Sequence, residues 1–421
     1  MAAAEYWQRS SLLIVTELEI MGSIVNKLRC WGDSYMPSVL LRLVQRLCIA
    51  SMLAGAILVT GCANGSAVQP TRTVRRTPAH SVAVRKPTPV YQHPSIPVGG
   101  YAAPAVYGNY AGYPELERFI DDMVRRHGFS RRYLNGLFSQ AKRQQWTLDY
   151  MGRTRKKSGR PRPGGWSRYR AKFLTGKHIS RGAAYWRRYA SALQRATVRY
   201  GVPAEYIMGI MGVETIYGGN IGSHRVIDAL TTLAFDLPRR ATYFRGELES
   251  FLLMTRDERI DPTRPLGSFA GAMGLGQFMP SSFRRWAVDF DGDGRKDLWN
   301  PVDAIGSIAN YFAEFGWRPG ERVVTRAVAN GSGAKSLESG FDTSYSLRTL
   351  ARYGIYPAEP YHGSNPVRLL RLSTYHGDEY WLGQQNFYVI TRYNHSTFYA
   401  MAVHQLAQAV KQRYRRTVAM E

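Results

Sequence analysis

The stretch YIMGIMGVETIYGG, residues 206–219, holds one acid in an otherwise apolar or small run. From Ala204 to Tyr217 hydrophobic and small side chains fill most positions, and a helix apolar on nearly all sides is a buried helix. Pro203 suits its first turn, and Tyr217-Gly218-Gly219 ends it. Gly209 and Gly212 each weaken such a helix by about 1 kcal/mol relative to Ala, which is accepted where a neighbour packs close to the backbone. Glu214 falls in the last turn, at the rim between core and cleft. An unpaired carboxylate in apolar surroundings is expensive, so Glu214 needs a partner or a use. Arg239 and Arg240 are candidate partners. The use would be acid catalysis, because burial raises a carboxyl's pKa and lets it keep and deliver a proton near neutrality.

Around this segment the pattern stays helical. PELERFIDDMVRRHG (114–128) spaces Leu116, Phe119, Ile120 and Met123 with a helical period, and Gly128 stops it. Ser130 can cap a second helix carrying Tyr133, Leu134, Leu137 and Phe138. A long helix is expected over 182–200, and more over 226–237, 239–258 and 301–316. The basic run GRTRKKSGRPRPGG (152–165) predicts a solvated loop. From Glu321 to about Asn386, RVVTRAV, PVRLLRLST and DEYWLGQQNFYVITRY read as strands of a small sheet, and TFYAMAVHQLAQAVKQRYRR (397–416) closes the chain as helix.

Two loops carry chemistry. GSFAGAMGLGQFMPSS (267–282) winds through Gly267, Gly271, Gly274 and Gly276. It lacks the Gly-Lys-Ser/Thr ending of a phosphate loop, and no alternating strand precedes it, so nucleotide-binding folds are disfavoured. DFDGDGRKDLWNPVDAI (289–305) sets Asp289, Asp291 and Asp293 at positions 1, 3 and 5, Gly294 at 6 and the Arg295 carbonyl at 7 of an EF-hand-like calcium loop. Asn300 stands where a bidentate Glu belongs. It is better read as the N-cap of the helix opened by Pro301, with Asp303 supplying the late carboxylate.

The N-terminal region explains the three cysteines, Cys30, Cys48 and Cys62. MPSVLLRLVQRLCIASMLAGAILVTGCANG (36–65) reads as a start at Met36, a basic segment with Arg42 and Arg46, an apolar run and the small pair Thr60-Gly61 before Cys62. That is a secretory signal resembling a bacterial lipobox, with Cys62 as the lipidated residue. A transmembrane anchor is the rival reading. Ala63 follows the Cys, so outer-membrane attachment facing the periplasm is expected. Residues 1–35 read as a mis-assigned start, 36–61 as signal, and the Pro-rich 62–112 as a flexible tether. With no cysteine after Cys62, a disulfide framework and a Cys-ligated zinc are both excluded from the body. The net charge of +25 and pI near 10.1 draw the chain to anionic polymers, lipid or nucleic acid. A secretion signal removes it from nucleic acid.

A proton-delivering acid is what cleavage of a glycosidic bond requires, but hydrolases of that kind use two carboxyls. Asp228 and Asp236 lie in an ordinary helical pattern, which leaves one convincing acid.

GVETIYGG, DALTTLAFDLPRRATYFRGELESFLLM, GSFAGAMGLGQFMPSSFRRWAVDFDGDGRKDLWNPVDAIGSIANYF and TRYNHSTFYAMAV closely resemble the membrane-bound lytic murein transglycosylase B family over roughly residues 113–415. The resemblance implies a mainly α fold with a small β module: a goose-lysozyme-like catalytic core (201–320) with a calcium loop, an added helical domain (113–200), a small β domain (321–386) and a C-terminal helix returning to the core (387–421). It implies cleavage of the β-1,4 bond between N-acetylmuramic acid and N-acetylglucosamine without water, leaving 1,6-anhydromuramoyl ends, with Glu214 as sole acid/base. Ser268, Gln277, Phe278, Met279, Tyr311, Tyr393, Asn394 and Tyr399 match substrate-cleft residues, and Arg239 and Arg240 match basic residues near the substrate's peptide or carboxylate groups. Asp289, Asp291, Asp293, the Arg295 carbonyl and Asp303 match a structural calcium site, and catalysis needs no cofactor. The implied partners are peptidoglycan strands, outer-membrane lipid and cell-wall synthesis or hydrolase proteins, around a monomer. A hydrolytic muramidase and an inactive peptidoglycan-binding lipoprotein are the alternatives.

Overall fold

The computed structural model describes residues 98–152, 163–363 and 366–420. The signal segment, Cys62, most of the tether and residues 153–162 of the basic insertion lie outside them. No helix among the described residues is long and apolar enough to cross a membrane.

The Pro114–His127 helix begins with Glu115 and Glu117 and ends with Arg125, Arg126 and His127, and Gly128 closes it in the left-handed region. That charge order complements the helix dipole. Ser130 caps the Arg131–Ser139 helix by accepting from the Tyr133 N–H. The single helix expected over 182–200 is two, Gly176–Arg188 and Ala190–Tyr200. The break falls at Tyr189, whose ring packs on Tyr185. No Gly or Pro marks it.

Ala204–Thr215 is the buried centre, with Ile207, Met208, Ile210 and Met211 wholly enclosed. Each such side chain contributes roughly 1.5–3 kcal/mol of burial. The Thr397–Val418 helix lies directly against it. A Cβ on Gly209 would fall 2.7 Å from the Val403 carbonyl oxygen, and one on Gly212 would fall 2.7 Å from Leu406 Cδ2 and strike the Tyr217 hydroxyl. Close packing of two helices therefore explains both glycines.

The β module is a four-stranded antiparallel sheet in the order β4-β3-β6-β5, from β3 (Val324–Ala329), β4 (Ile355–Pro357), β5 (Arg368–Thr374) and β6 (Gly377–Gly383). Side-chain alternation divides it. Leu369 and Leu382, directly paired, join Ala327, Leu350 and Ile355 in a small core of their own, whereas Leu370 and Leu372 face the main core. A two-residue ladder, β1 (His224–Arg225) with β2 (Leu266–Gly267), stands apart.

Two further expectations are corrected. QNFYVITRY (385–393) is helix, not strand. Buried Asn386 holds the backbones of Arg318 and Glu321, and buried Gln384 bonds the Thr325 hydroxyl, so tertiary bonds override the aromatic β-propensity. Residues 98–112, given to the tether, pack on the body. Tyr110 is fully buried with its hydroxyl on Thr232, and Tyr101 donates to Asp261 at 2.7 Å. Aromatic anchors outweigh a linker-like composition there.

Candidate active site

Glu214 sits in the last turn of its helix, and the backbone after it is held in an unusual shape. Ile216 and Tyr217 both lie in the left-handed region, at φ 52° and 55°, where a β-branched residue is uncommon. Such positions hold on the order of 1–3 kcal/mol of strain each and persist only when over-determined. Here Ile216 N–H bonds Gly212 O, Tyr217 N–H bonds Met211 O, and the Thr215 hydroxyl donates to Leu275 O while accepting from Gly218 N–H. Thr215 thus ties the Glu214 turn to the glycine-rich loop.

The carboxyl of Glu214 accepts a 2.5 Å hydrogen bond from Tyr399. Among the described residues no cation pairs with it. Burial pushes its pKa up to about 7, against the opposing pull of the Tyr399 bond. In return the Tyr393 and Tyr399 hydroxyls are pushed well above their usual value, by burial first and by the Glu214 charge second. Tyr169 feels the same two influences. The sequence does not single it out: within GGWSRYRAKFL nothing in type or spacing distinguishes it from its aromatic neighbours.

The glycine-rich loop turns back on itself through reciprocal Met273–Phe278 backbone bonds. Gln277, at φ 51°, donates its amide to Ile221 O and Gly274 O. Tyr393 donates to Gly276 O at 2.5 Å, and its ring meets Phe278 and Tyr311 at 5.7 Å and 4.9 Å. Tyr311 donates to Arg392 O. A connected wall of Phe278, Tyr311 and Tyr393 therefore joins the Gln277 turn to the start of the closing helix.

The other expected residues stand further out. Ser268 uses its hydroxyl to accept from Ala270 and Ala272 N–H, shaping the loop. Met279 stands just before the Pro280–Trp286 helix and Asn394 just after Gln385–Tyr393. Arg239 and Arg240 lie exposed in the Pro238–Arg240 turn, Arg240 over the rings of Tyr243 and Phe244. Neither arginine pairs with Glu214, so a neutralising ion pair does not explain the acid. Asp228 is engaged by Arg225 and Lys142 N–H, and Asp236 by Arg143 and Tyr113. Both are structural. Of these acids only Glu214 is left for chemistry.

In the acidic loop, carboxylate oxygens of Asp289, Asp291 and Asp303 lie within 4.8 Å of one another, an arrangement able to hold a metal ion. Asp303 also accepts from the N–H groups of Phe290, Asp291 and Asp297, while burial lifts its pKa to about 6. Asp293 turns to the Arg295 N–H and is not in the group. Asn300 caps the Pro301–Glu314 helix, as its position suggested, and donates to Asp291.

Known proteins share much of this sequence and fold. Residues 111–408 match the Transglycosylase SLT domain. The membrane-bound lytic murein transglycosylase B of Escherichia coli (strain K12) is 49% identical over 335 residues, covering 77% of this chain and 92% of that protein. The structure of the Escherichia coli lytic transglycosylase Slt35 in complex with calcium superposes with a TM-score of 0.70 at 50% identity, covering 74% of this chain and 96% of that one. SltB3 from Pseudomonas aeruginosa in complex with NAG-anhNAM-pentapeptide gives 0.62 at 26% identity, covering 71% and 79%. With half the residues shared across nearly the whole of such relatives, the chain belongs to the membrane-bound lytic murein transglycosylase B family.

Proposed function

We propose that Glu214 is the single acid/base of a peptidoglycan lytic transglycosylase, on one observation above all: an isolated, half-buried carboxyl with a pKa near 7 and a phenol as its partner. The enzyme cleaves the β-1,4 bond between N-acetylmuramic acid and N-acetylglucosamine without consuming water. Glu214 gives its proton to the glycosidic oxygen as the C1–O bond breaks. The muramoyl C6 hydroxyl then bonds to C1, and its proton returns to the Glu214 carboxylate. The product is a 1,6-anhydromuramoyl end and the acid is regenerated, so no second carboxyl is needed. The apolar helix keeps a large share of Glu214 protonated at neutral pH, and Tyr399 steadies it when it is ionised. Gln277, Phe278, Tyr311 and Tyr393 form the near wall of the glycan cleft, with Ser268, Met279 and Asn394 further along. Arg239 and Arg240, exposed and without an acidic partner among the described residues, suit the substrate's carboxylates.

The acidic loop is proposed as an EF-hand-like site for a structural calcium ion. Asp289, Asp291 and Asp303 would hold it, with Asp293 and the Arg295 carbonyl completing the shell after a small turn of Asp293. Its chemistry is oxygen-only and it takes no part in bond cleavage. The proposed organisation is a helical domain, a lysozyme-like core, the β module and the returning helix, anchored through a lipid on Cys62 at the outer membrane and facing the periplasm. Glycan strands are its substrate, and cell-wall synthesis or hydrolase proteins are proposed partners.

Product analysis tests the activity. Mass spectrometry of digested peptidoglycan is expected to show muropeptides one water lighter than hydrolytic products, and Glu214→Gln is expected to bind strands without cutting them. Reducing ends, or turnover by Glu214→Gln, would overturn the assignment.

A further inference from the structure

Beside the Ser268 loop stands a group of rings that the bond-cleaving steps do not use. Trp146 and Tyr150, one turn apart on the Gln145–Gly152 helix, stack at 5.2 Å and 16° between planes. The His224 ring lies nearly parallel to Trp146 at 5.9 Å. Phe269, the residue after Ser268, meets Trp146 and Tyr150 edge-on at 5.8 Å and 4.9 Å. Trp146 is 56% exposed and Tyr150 48%. The helix that carries them buries only Thr147, so the rings add little to the core.

The cluster is nevertheless rigidly mounted. The Gln144 N–H bonds the Thr232 hydroxyl, and the Gln144 side-chain oxygen accepts from Thr147 and lies 3.1 Å from His224 Nδ1. His224 is in turn paired with Gly267, next to Ser268. His224 thus ties the rings to the ladder that leads into the glycine-rich loop, while Trp146 and Tyr150 keep about half of their surface exposed. Flat aromatic faces that are pre-ordered and exposed lose little entropy when a flat, partly apolar ligand stacks on them. Pyranose rings present such C–H faces.

We propose that Trp146, Tyr150 and Phe269 form an outlying glycan platform, which stacks an N-acetylhexosamine unit of the strand beyond the sugars held at Glu214. The occupant is set by continuity: Phe269 adjoins Ser268, so a strand lying along the glycine-rich loop runs onto the rings. The proposal rests on the glycan-cleaving assignment above. It adds that the enzyme grips long strands better than short ones.

The test is calorimetric binding of N-acetylglucosamine oligomers of increasing length to full-chain Glu214→Gln protein, with and without Trp146→Ala or Tyr150→Ala. Each truncation is expected to weaken long oligomers roughly two- to tenfold, with the loss absent for the shortest oligomers that bind. Trp146→Phe is expected to recover most of the affinity, and thermal melting checks that each variant folds. Equal affinity of the parent and Trp146→Ala proteins for every length overturns the platform. So does a loss independent of length, or Trp146→Phe behaving like Trp146→Ala. Hydrolytic products from the wild-type enzyme would instead sink the transglycosylase mechanism while leaving the length dependence intact, so the two failures are distinct.

Discussion

Replacing Tyr399 with Phe removes the one hydrogen bond that Glu214 accepts among the described residues and leaves the ring that fills the site. The phenol donates to the carboxylate at 2.5 Å, with no cation in support among the described residues. Hydrogen bonds to a charged group are worth about 1.5–3 kcal/mol, which is roughly one to two pKa units. The bond favours the ionised form, so its loss raises the pKa above the wild-type value of about 7. Acid catalysis needs the protonated form. The alkaline limb of kcat/KM, which reports the free enzyme, should therefore move from near pH 7 to roughly pH 8–9. The assay is release of soluble muropeptides from purified sacculi across the pH range, read as the position of the limb. A drop in plateau height alone is a separate matter of substrate contact. A limb that stays in place, or moves to lower pH, would refute the idea that Tyr399 holds the carboxylate.

Three further outcomes are expected. The raised pKa of Glu214 means that the folded state holds its proton more tightly than the unfolded chain, so the group's effect on stability worsens as pH rises through the interval from 4.5 to about 7. Glu214→Gln should then unfold later than wild type at pH 8, by on the order of 2–3 kcal/mol in urea, with the difference vanishing near pH 4. Gly209→Ala gains up to about 1 kcal/mol of helix propensity, yet sets a methyl 2.7 Å from the rigid Val403 carbonyl; a net destabilisation of about 1–3 kcal/mol is expected, and unchanged or raised stability would count against the close helix contact. Calcium at a hundredfold excess over its Kd should stabilise the protein by about 2.7 kcal/mol, measured as a melting shift reversed by chelator, and Asp289→Asn should lose most of that shift.

Much of this was legible because the decisive features are local. A mostly apolar helix with two glycines and an acid in its last turn announces burial, close packing and a special carboxyl, and the 1-3-5 spacing of Asp289, Asp291 and Asp293 points to an oxygen-ligand loop. What packs on the glycines was not legible, since Val403 and Leu406 lie far along the chain. The helical state of 385–393 was hidden for a related reason: Asn386 and Gln384 are committed by bonds to Arg318, Glu321 and Thr325, and β-propensity carries no trace of such partners. Tyr169 reaches Glu214 through tertiary placement alone. Asp293 fits the motif by position, yet its oxygen bonds the Arg295 N–H.

Tyr399, the sole hydrogen-bond donor to Glu214 among the described residues, follows it by 185 positions. During synthesis the acid and its apolar helix therefore exist long before the phenol that steadies the ionised form. The helix that brings the phenol also fills the hollow left by Gly209 and Gly212. A nascent or clipped chain lacking that helix has a Glu214 without its partner and a core without its lid. For an enzyme that cuts the wall enclosing its own cell, competence is postponed until the Thr397–Val418 helix has been made and docked.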